Sequence, residues 1–364
     1  MALDSIPEVI QSAFVRKLPP KTDYGIAFVG CGGIVNYGHI PSYKANGFNL
    51  IGGYDINPEA AEKTVQAHGL KKLYTSLDEL LSDPLVEIVD VAVVPEEQWN
   101  VVTKVIAAGK PLLCQKPFSI DYAKAVEMTN LAQQAGLKMA IHQQFRWSSI
   151  IQATRALMNA GWLGNILDVQ VQVSIHTPWD MWPWIAGQSR LEVLFHSIHY
   201  LDSLRYLFGE PALVTSRHTK NPTQMAKGET KTITTWDYSN GMQILIAICH
   251  FDWSPALYSL FRVLGTDGVT EGTIGTNYDY PEGRNDTIKF TSREHPEQNF
   301  STTLPGKWIP DAFYGPIASL MEAIQTGGEP VTSAQDNLGT LRAVEAAYLS
   351  MQEARSVSPS EITA

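Results

Sequence analysis

Apolar residues in the first 142 positions come in short unbroken blocks. Ile26–Val29 is one block, Asn49–Tyr54 another, and Val86–Val94 is nearly continuous. Pro111–Cys114 and Lys138–Ile141 are shorter ones. Strands buried on both faces read this way, whereas a strand with one wet face alternates. Segments of helical spacing lie between them: Pro58–His68, Gln98–Ala108 and Asp121–Ala135. Ser76 and Glu79 make a capping box that opens a short helix to Leu81. Asn36–Asn46 also continues as helix, with Pro41 predicting a bend or a new turn. Such alternation predicts a parallel sheet with helices on both faces.

From about His142 the pattern changes. Ser148–Ala160 reads as a helix closed by Gly161, and Asn165–His176 contains an alternating strand. Its Val169, Val171 and Val173 share one face, Gln170 and Gln172 the other. A rigid aromatic loop follows at Pro178–Trp184, then a helix over Leu191–Phe208 carrying His196, His199 and Asp202. Six short runs come next: Leu213–Lys220, Lys231–Tyr238, Met242–His250, Leu257–Leu264, Val269–Ile274 and Thr287–Thr291. Ser239-Asn240-Gly241 is a hairpin turn between two of them. Asp311–Thr326 and Asn337–Ala354 are closing helices. The expectation is an α+β half with an open, mainly antiparallel sheet covered by helices on one face. The other face needs water or a partner, so a homo-oligomer packed through that sheet is expected.

The junction of the first strand and the next helix carries chemistry. Gly30, Gly32 and Gly33 follow Ile26–Val29, and Ile34 leads into helix. Gly30 allows a tight turn, Gly32 lets a pyrophosphate approach the backbone, and the helix N-terminus faces the anion. Val35 stands where a small residue is usual and predicts a slightly wider helix–strand spacing. Asp55 ends the second strand, 25 residues after Gly30, near the spacing at which a carboxylate accepts hydrogen bonds from a ribose. A helix-capping Asp ahead of Pro58 is the plainer alternative. Its neighbours Ile56 and Asn57 offer no cation for a 2′-phosphate, which favours NAD over NADP. Pro95, Gln115 and Lys116 fall at or just beyond later strand ends and join Asp55 as cofactor-binding candidates, because ligands bind beyond the carboxyl ends of such strands; Gln98, which opens the following helix, is a further candidate. The expected division is an N-terminal arm at 1–23, a Rossmann NAD-binding domain at 24–142 and a substrate and oligomerisation domain at 143–364.

Bulk composition narrows the partners. The 364 residues include 27 Lys and Arg against 37 Asp and Glu, a net charge of −10, which argues against nucleic acid or an anionic membrane. Cys31, Cys114 and Cys249 have neither disulfide nor metal spacing. With no secretion pattern in residues 1–20 and no membrane-length apolar run, a cytoplasmic location is expected. His196 and His199 with Asp202 lack a convincingly spaced further ligand, so no metal is expected.

Over nearly its whole length the chain resembles the Gfo/Idh/MocA family of sugar and inositol oxidoreductases. The matching stretches are Gly30-Cys31-Gly32-Gly33-Ile34, Asp55, Ala108-Gly109-Lys110 leading into Gln115-Lys116-Pro117, and Arg146-Trp147. Further matches are Ala160-Gly161-Trp162-Leu163-Gly164, His199-Tyr200-Leu201-Asp202, Gly265-Thr266-Asp267-Gly268 and Pro330-Val331-Thr332-Ser333-Ala334. The resemblance implies hydride transfer between NAD(P) and a carbinol carbon of a sugar, glycoside or cyclitol, in a dimer or tetramer. It also implies Lys116 and His199 as the acid/base pair. Two positions depart from the family: Gln115 replaces a usual Glu, and Phe195 stands where an Asp often precedes the catalytic His by four residues.

Other residues have two readings each. His196, one turn before His199, is a substrate contact or simple packing. Asp180 and Trp182 suit sugar hydroxyls and C–H faces, or a packed loop. Arg146 borders a pocket or serves structure. Two further functions stay open beside the dehydrogenase: a redox-neutral enzyme that retains NAD for glycoside cleavage or sugar–sugar hydride exchange, and a non-catalytic NAD-binding regulator.

Overall fold

A computed structural model describes residues 5–280 and 282–364, and residues 1–4 of the expected N-terminal arm lie outside it. The chain divides into two units. The first comprises residues 17–144 and 309–338 together with the last two residues. Its strands are β1 (Ile26–Val29), β2 (Leu50–Tyr54), β3 (Lys72–Leu73), β4 (Ile88–Val91), β5 (Leu112–Cys114) and β6 (Met139–Ile141). They form one sheet in the order β3-β2-β1-β4-β5-β6, and every neighbouring pair is parallel. β1 and β4 are buried at every residue, as expected of central strands with helices on both faces, and Asp90 of β4 is buried with them. The order reverses between β1 and β4, which opens a crevice at their carboxyl ends.

The sequence reading runs the second domain unbroken from 143 to 364; the structure corrects this. Residues 309–338 return to the first unit. Their helix Tyr314–Thr326 packs beside β5 and β6. Ile317, Leu320 and Met321 join Phe28, Ile88 and Leu113 in one core. Ser333 bridges to Ala140. The reason is coverage: a parallel sheet needs apolar helices on both faces, and this helix buries most of its surface.

The second unit comprises the N-terminal segment through Arg16, residues 145–308 and residues 339–362. Its strands are β7 (Ile166–Ser174), β8 (Leu213–Thr219), β9 (Lys231–Asp237), β10 (Gln243–Cys249), β11 (Tyr258–Gly265), β12 (Gly268–Thr273), β13 (Thr287–Ser292) and β14 (Asn299–Thr303). The sheet order is β14-β13-β12-β11-β7-β10-β9-β8. Only the β7–β10 pair is parallel. Alternation places Val169, Val171, Val173, Ile244, Ile246 and Ile248 on the buried face. Gln170, Leu245, Leu260 and Arg262 on the other face stay half-buried. The N-terminal segment is helical over Ile6–Ser12 and packs on the helix Ser149–Asn159. No helix among the described residues is long and apolar enough to cross a membrane.

Two helices depart from regular winding. Val35–His39 and Glu192–Ser197 are π-helical, and each continues as α-helix, over Ile40–Ala45 and Ile198–Phe208. In the first, Ile40 N–H bonds the carbonyl of Val35, five residues back. Pro41 has no N–H to give the carbonyl of Tyr37, so the helix widens just ahead of it. Val35 itself is fully buried in the core of the first unit.

Candidate functional site

Gly30 has a φ of +95°, and a Cβ there would lie 2.4 Å from the carbonyl oxygen of Ala92. Only glycine fits such a turn. At Gly32 an added Cβ would meet nothing within 4 Å, so the backbone is open to an approaching group. Asn36 braces the loop by donating to the carbonyls of Cys31 (3.0 Å) and Gly32 (2.8 Å). Asp55 stands just past β2. Its Oδ2 accepts the N–H of Cys31 (2.7 Å) and its Oδ1 that of Asn57 (2.8 Å). A carboxylate has about four acceptor positions, so about two remain for ribose hydroxyls. The open cradle at Gly32 and the half-buried acid beside it fit a dinucleotide. Asn57 caps the following helix by accepting the N–H of Glu59, and Ile56 is exposed, so no cation faces Asp55 from these neighbours. Burial, and then the charge of Asp55, push the Cys31 thiol up to about 12, which leaves it unreactive.

Behind the strand ends runs a buried polar chain. Asp90, fully buried in the apolar run of β4, accepts from Tyr43 (2.7 Å) and pairs with His39 Nδ1 (2.8 Å). His39 Nε2 lies 2.9 Å from the Gln115 amide nitrogen, while Gln115 Oε1 accepts the N–H of Lys116 (2.7 Å). The Lys116 N–H can only donate, which fixes which end of the amide is oxygen. The Gln115 amide therefore donates to His39 Nε2, and His39 carries its proton on Nδ1, toward Asp90. Gln98, also fully buried, donates to the carbonyls of Gln115 (2.8 Å) and Pro117 (3.2 Å) and accepts from the Cys114 thiol (2.9 Å). Its amide is engaged in holding the Lys116 loop. Burial lowers the pKa of Lys116 from 10.5 to about 8. Burial, then the neighbouring His39, hold His142 well below the usual histidine range.

This chain gives Gln115 a reason. A carboxylate at 115 has no proton to give His39 Nε2. Gln115→Glu is therefore expected to lower unfolding stability by about 1–3 kcal/mol, the cost of an unmatched buried polar group. Equilibrium denaturation measures it, and unchanged stability would remove the assignment.

In the second unit the loosely wound Glu192–Ser197 segment brings residues 196 and 197 back over Glu192. Glu192 is fully buried and accepts from Ser197 Oγ (2.5 Å) and Thr232 Oγ1 (2.6 Å). His196 Nδ1 lies 3.3 Å and His250 Nε2 3.8 Å from its Oε1. Burial works to raise the Glu192 pKa, but the adjacent imidazoles outweigh it and hold the carboxyl well below the usual range. His199, 6% exposed, meets the Trp308 ring edge-on at 4.8 Å. Phe195 is buried edge-on against Trp184 at 5.7 Å, an apolar contact where the family resemblance places an Asp. Arg146 is paired bidentately with Asp202 (2.6 and 2.7 Å), which also accepts from Thr340 (2.8 Å). Trp182 packs edge-on against Tyr280 at 5.3 Å, and Asp180 is exposed.

Of the residues expected at the site, Gly30, Gly32, Gly33, Ile34, Asp55, Pro95, Gln98, Gln115 and Lys116 belong to the first unit, and Arg146, Asp180, Trp182, His196 and His199 to the second. The sequence reading misses His39, Asp90, Glu192 and His250. Asp90 had a signal, an acid inside a nearly continuous apolar strand. Glu192 and His250 are 58 positions apart and had none.

The family model described as "Oxidoreductase family, NAD-binding Rossmann fold" matches residues 24–143. That described as "Oxidoreductase family, C-terminal alpha/beta domain" matches residues 155–358. The chain is 27% identical over 336 residues to a D-apiose dehydrogenase of Paraburkholderia graminis, covering 91% of this chain and 88% of that one. It is 27% identical over 339 residues to a D-apiose dehydrogenase of Rhizobium rhizogenes, covering 91% and 96%. The fold is similar to a crystal structure of an oxidoreductase from Agrobacterium radiobacter in complex with NAD+, L-tartaric acid and magnesium, with a TM-score of 0.82 and 23% identity, covering 94% of this chain and 100% of that one.

Proposed function

The chain belongs to the Gfo/Idh/MocA oxidoreductases, whose N-terminal domain binds NAD, and from that premise we propose that it oxidises a ring or carbinol hydroxyl of a sugar, glycoside or cyclitol. The observation that carries this reading is the placement of three groups at one end of a parallel sheet. Asp55 follows β2, the glycine turn follows β1, and Lys116 follows β5, all at carboxyl ends. The D-apiose dehydrogenases that the chain resembles support a small sugar as the substrate class.

Gly30, Gly32, Gly33 and Ile34 hold the pyrophosphate on backbone N–H groups, and Asp55 holds the adenosine ribose. Pro95 begins the helix after β4, beyond the carboxyl end of that strand. Gln98 and Gln115 fix the loop that carries Lys116. Bound NAD supplies the hydride acceptor. In this reading His199 serves as the acceptor of the hydroxyl proton, and Lys116 serves as the ammonium that stabilises alkoxide character. His196, Asp180 and Trp182 contact the sugar, and Arg146, tied to Asp202, steadies the helix that presents His199. A second copy covers the half-buried face of the eight-stranded sheet.

A panel of sugars, glycosides and cyclitols, D-apiose included, tests this with NAD and NADP in parallel. The expected result is NADH formation with at least one free sugar or cyclitol and a preference for NAD. Absence of turnover across the panel, with NADH absorbance already present in the purified protein, would instead support the redox-neutral reading.

A further inference from the structure

Among the described residues, one group of three metal-type ligands has its donor atoms close together. One oxygen of Glu192 and one nitrogen each of His196 and His250 lie within 4.8 Å of one another. The distances from Glu192 Oε1 are 3.3 Å to His196 Nδ1 and 3.8 Å to His250 Nε2. Two metal–ligand bonds of about 2.0–2.2 Å at a tetrahedral angle span about 3.4 Å, so this spacing needs little adjustment to close on an ion.

His250 points to a ligand independently of the spacing. It is 1% exposed, and its Nε2 has no hydrogen-bond partner. At 3.8 Å the Glu192 oxygen is too far to serve as one. Buried polar atoms are nearly always satisfied, so an orphan aimed at a carboxylate calls for a third party. The other ring nitrogen is held by Thr177 Oγ1 at 2.7 Å. When Nδ1–H donates to Thr177, Nε2 presents a bare lone pair to the gap. Metal-bound histidines are oriented in this way by an outer partner. The carboxylate is likewise held, by Ser197 and Thr232. The two imidazole rings stand 4.5 Å apart and nearly perpendicular, so both edges can face one point.

Charge and chemistry agree. A fully buried carboxylate needs a positive counterpart, which a divalent ion held between Glu192, His196 and His250 would supply. Two nitrogens and one oxygen are the donor set of open zinc sites, and nitrogen ligands disfavour magnesium and calcium. We propose that Glu192, His196 and His250 bind one divalent transition-metal ion, zinc being the best match, with the fourth position left for water or a hydroxyl of a bound molecule. Thr177 opens the loop that carries Asp180 and Trp182, and Trp179 of that loop packs on the His250 ring at 5.2 Å. The ion would therefore also steady this loop. The inference stands whether or not the chain oxidises a sugar.

The full chain, freed of metal by dialysis against a chelator and then against chelator-free buffer, is titrated with zinc chloride by calorimetry. One zinc per chain is expected, with a rise in Tm of the protein. Elemental analysis after gel filtration checks the stoichiometry. Cobalt(II) in place of zinc should give the visible d–d absorption of a four-coordinate site, a readout that needs no variant. His196→Ala and His250→Ala should each weaken zinc binding by more than about 100-fold, beyond the effect of losing an outer partner. His295→Ala, at an exposed histidine, should bind like the parent. Failure of the parent chain to take up zinc or cobalt stoichiometrically would overturn the site, as would equal binding by the folded His196→Ala and His250→Ala variants. Three groups that only share protons give those results.

Discussion

Lys116→Met is expected to lower turnover by about 10²–10⁴-fold, the range of a lost charge-stabilising or proton-transferring group, while NAD affinity stays near that of the parent. The side chain sits on a loop fixed by Gln98 and Gln115, and burial brings its pKa from 10.5 to about 8. In the proposed reaction oxidation needs the ammonium, so kcat in the parent should fall as pH rises through about 8. Lys116→Arg, which keeps its charge, should lose that limb. The stability sign is opposite. A lysine with a depressed folded-state pKa makes the native chain bind fewer protons than the unfolded one between about pH 8 and 10.5, so its contribution to stability improves as pH rises there. Below pH 8 the buried charge is a cost, and Lys116→Met should be at least as stable as the parent. A large loss of kcat in a protein of undiminished stability separates chemistry from misfolding. Turnover within tenfold of the parent would end the catalytic assignment. The expected free-sugar activity must be in hand first, since the loss is read against it.

The second large effect concerns stability. Asp202→Ala is expected to destabilise the second unit by about 3–5 kcal/mol, because it leaves the buried Arg146 guanidinium without its carboxylate. Arg146 is 3% exposed and Asp202 fully buried, and the pair is bidentate, with Thr340 completing the carboxylate's bonds. Replacing both partners by apolar residues, Arg146→Met with Asp202→Leu, should recover much of the loss, since it removes both desolvated charges together. Denaturant unfolding of the single and double variants measures this. A single variant within about 1 kcal/mol of the parent would show that the pair contributes no more than a surface ion pair.

The fold was legible in unequal measure. The apolar block at Ile26–Val29 and the nearly continuous one at Val86–Val94 pointed to a sheet buried on both faces, and the alternation of Val169, Val171 and Val173 to one with a wet side. Both are period effects, readable a few residues at a time. The helix over Leu191–Phe208 was anticipated as continuous, but its first turns are π-helical. Spacing rules for an α-helix place residues 196 and 199 on one face; a π turn shifts that phase and brings His196 and Ser197 together over Glu192. The sequence reading sets His196, His199 and Asp202 aside as a ligand set, and the structure engages them separately. Asp202 is committed to Arg146, while His196 gathers with Glu192 and with a histidine from the end of β10.

By itself, the sequence determined the dinucleotide half: the strand, the glycine turn, the helix and Asp55 lie within some thirty residues, and their order is their geometry. It also determined the family, because several short stretches match along the chain. Only the tertiary structure decided why Gln115 replaces a Glu, since its partner His39 is 76 residues away. It likewise returned residues 309–338 to the first unit and assembled Glu192, His196 and His250. Each of these depends on side chains brought together by packing from distant positions, and no local period records that.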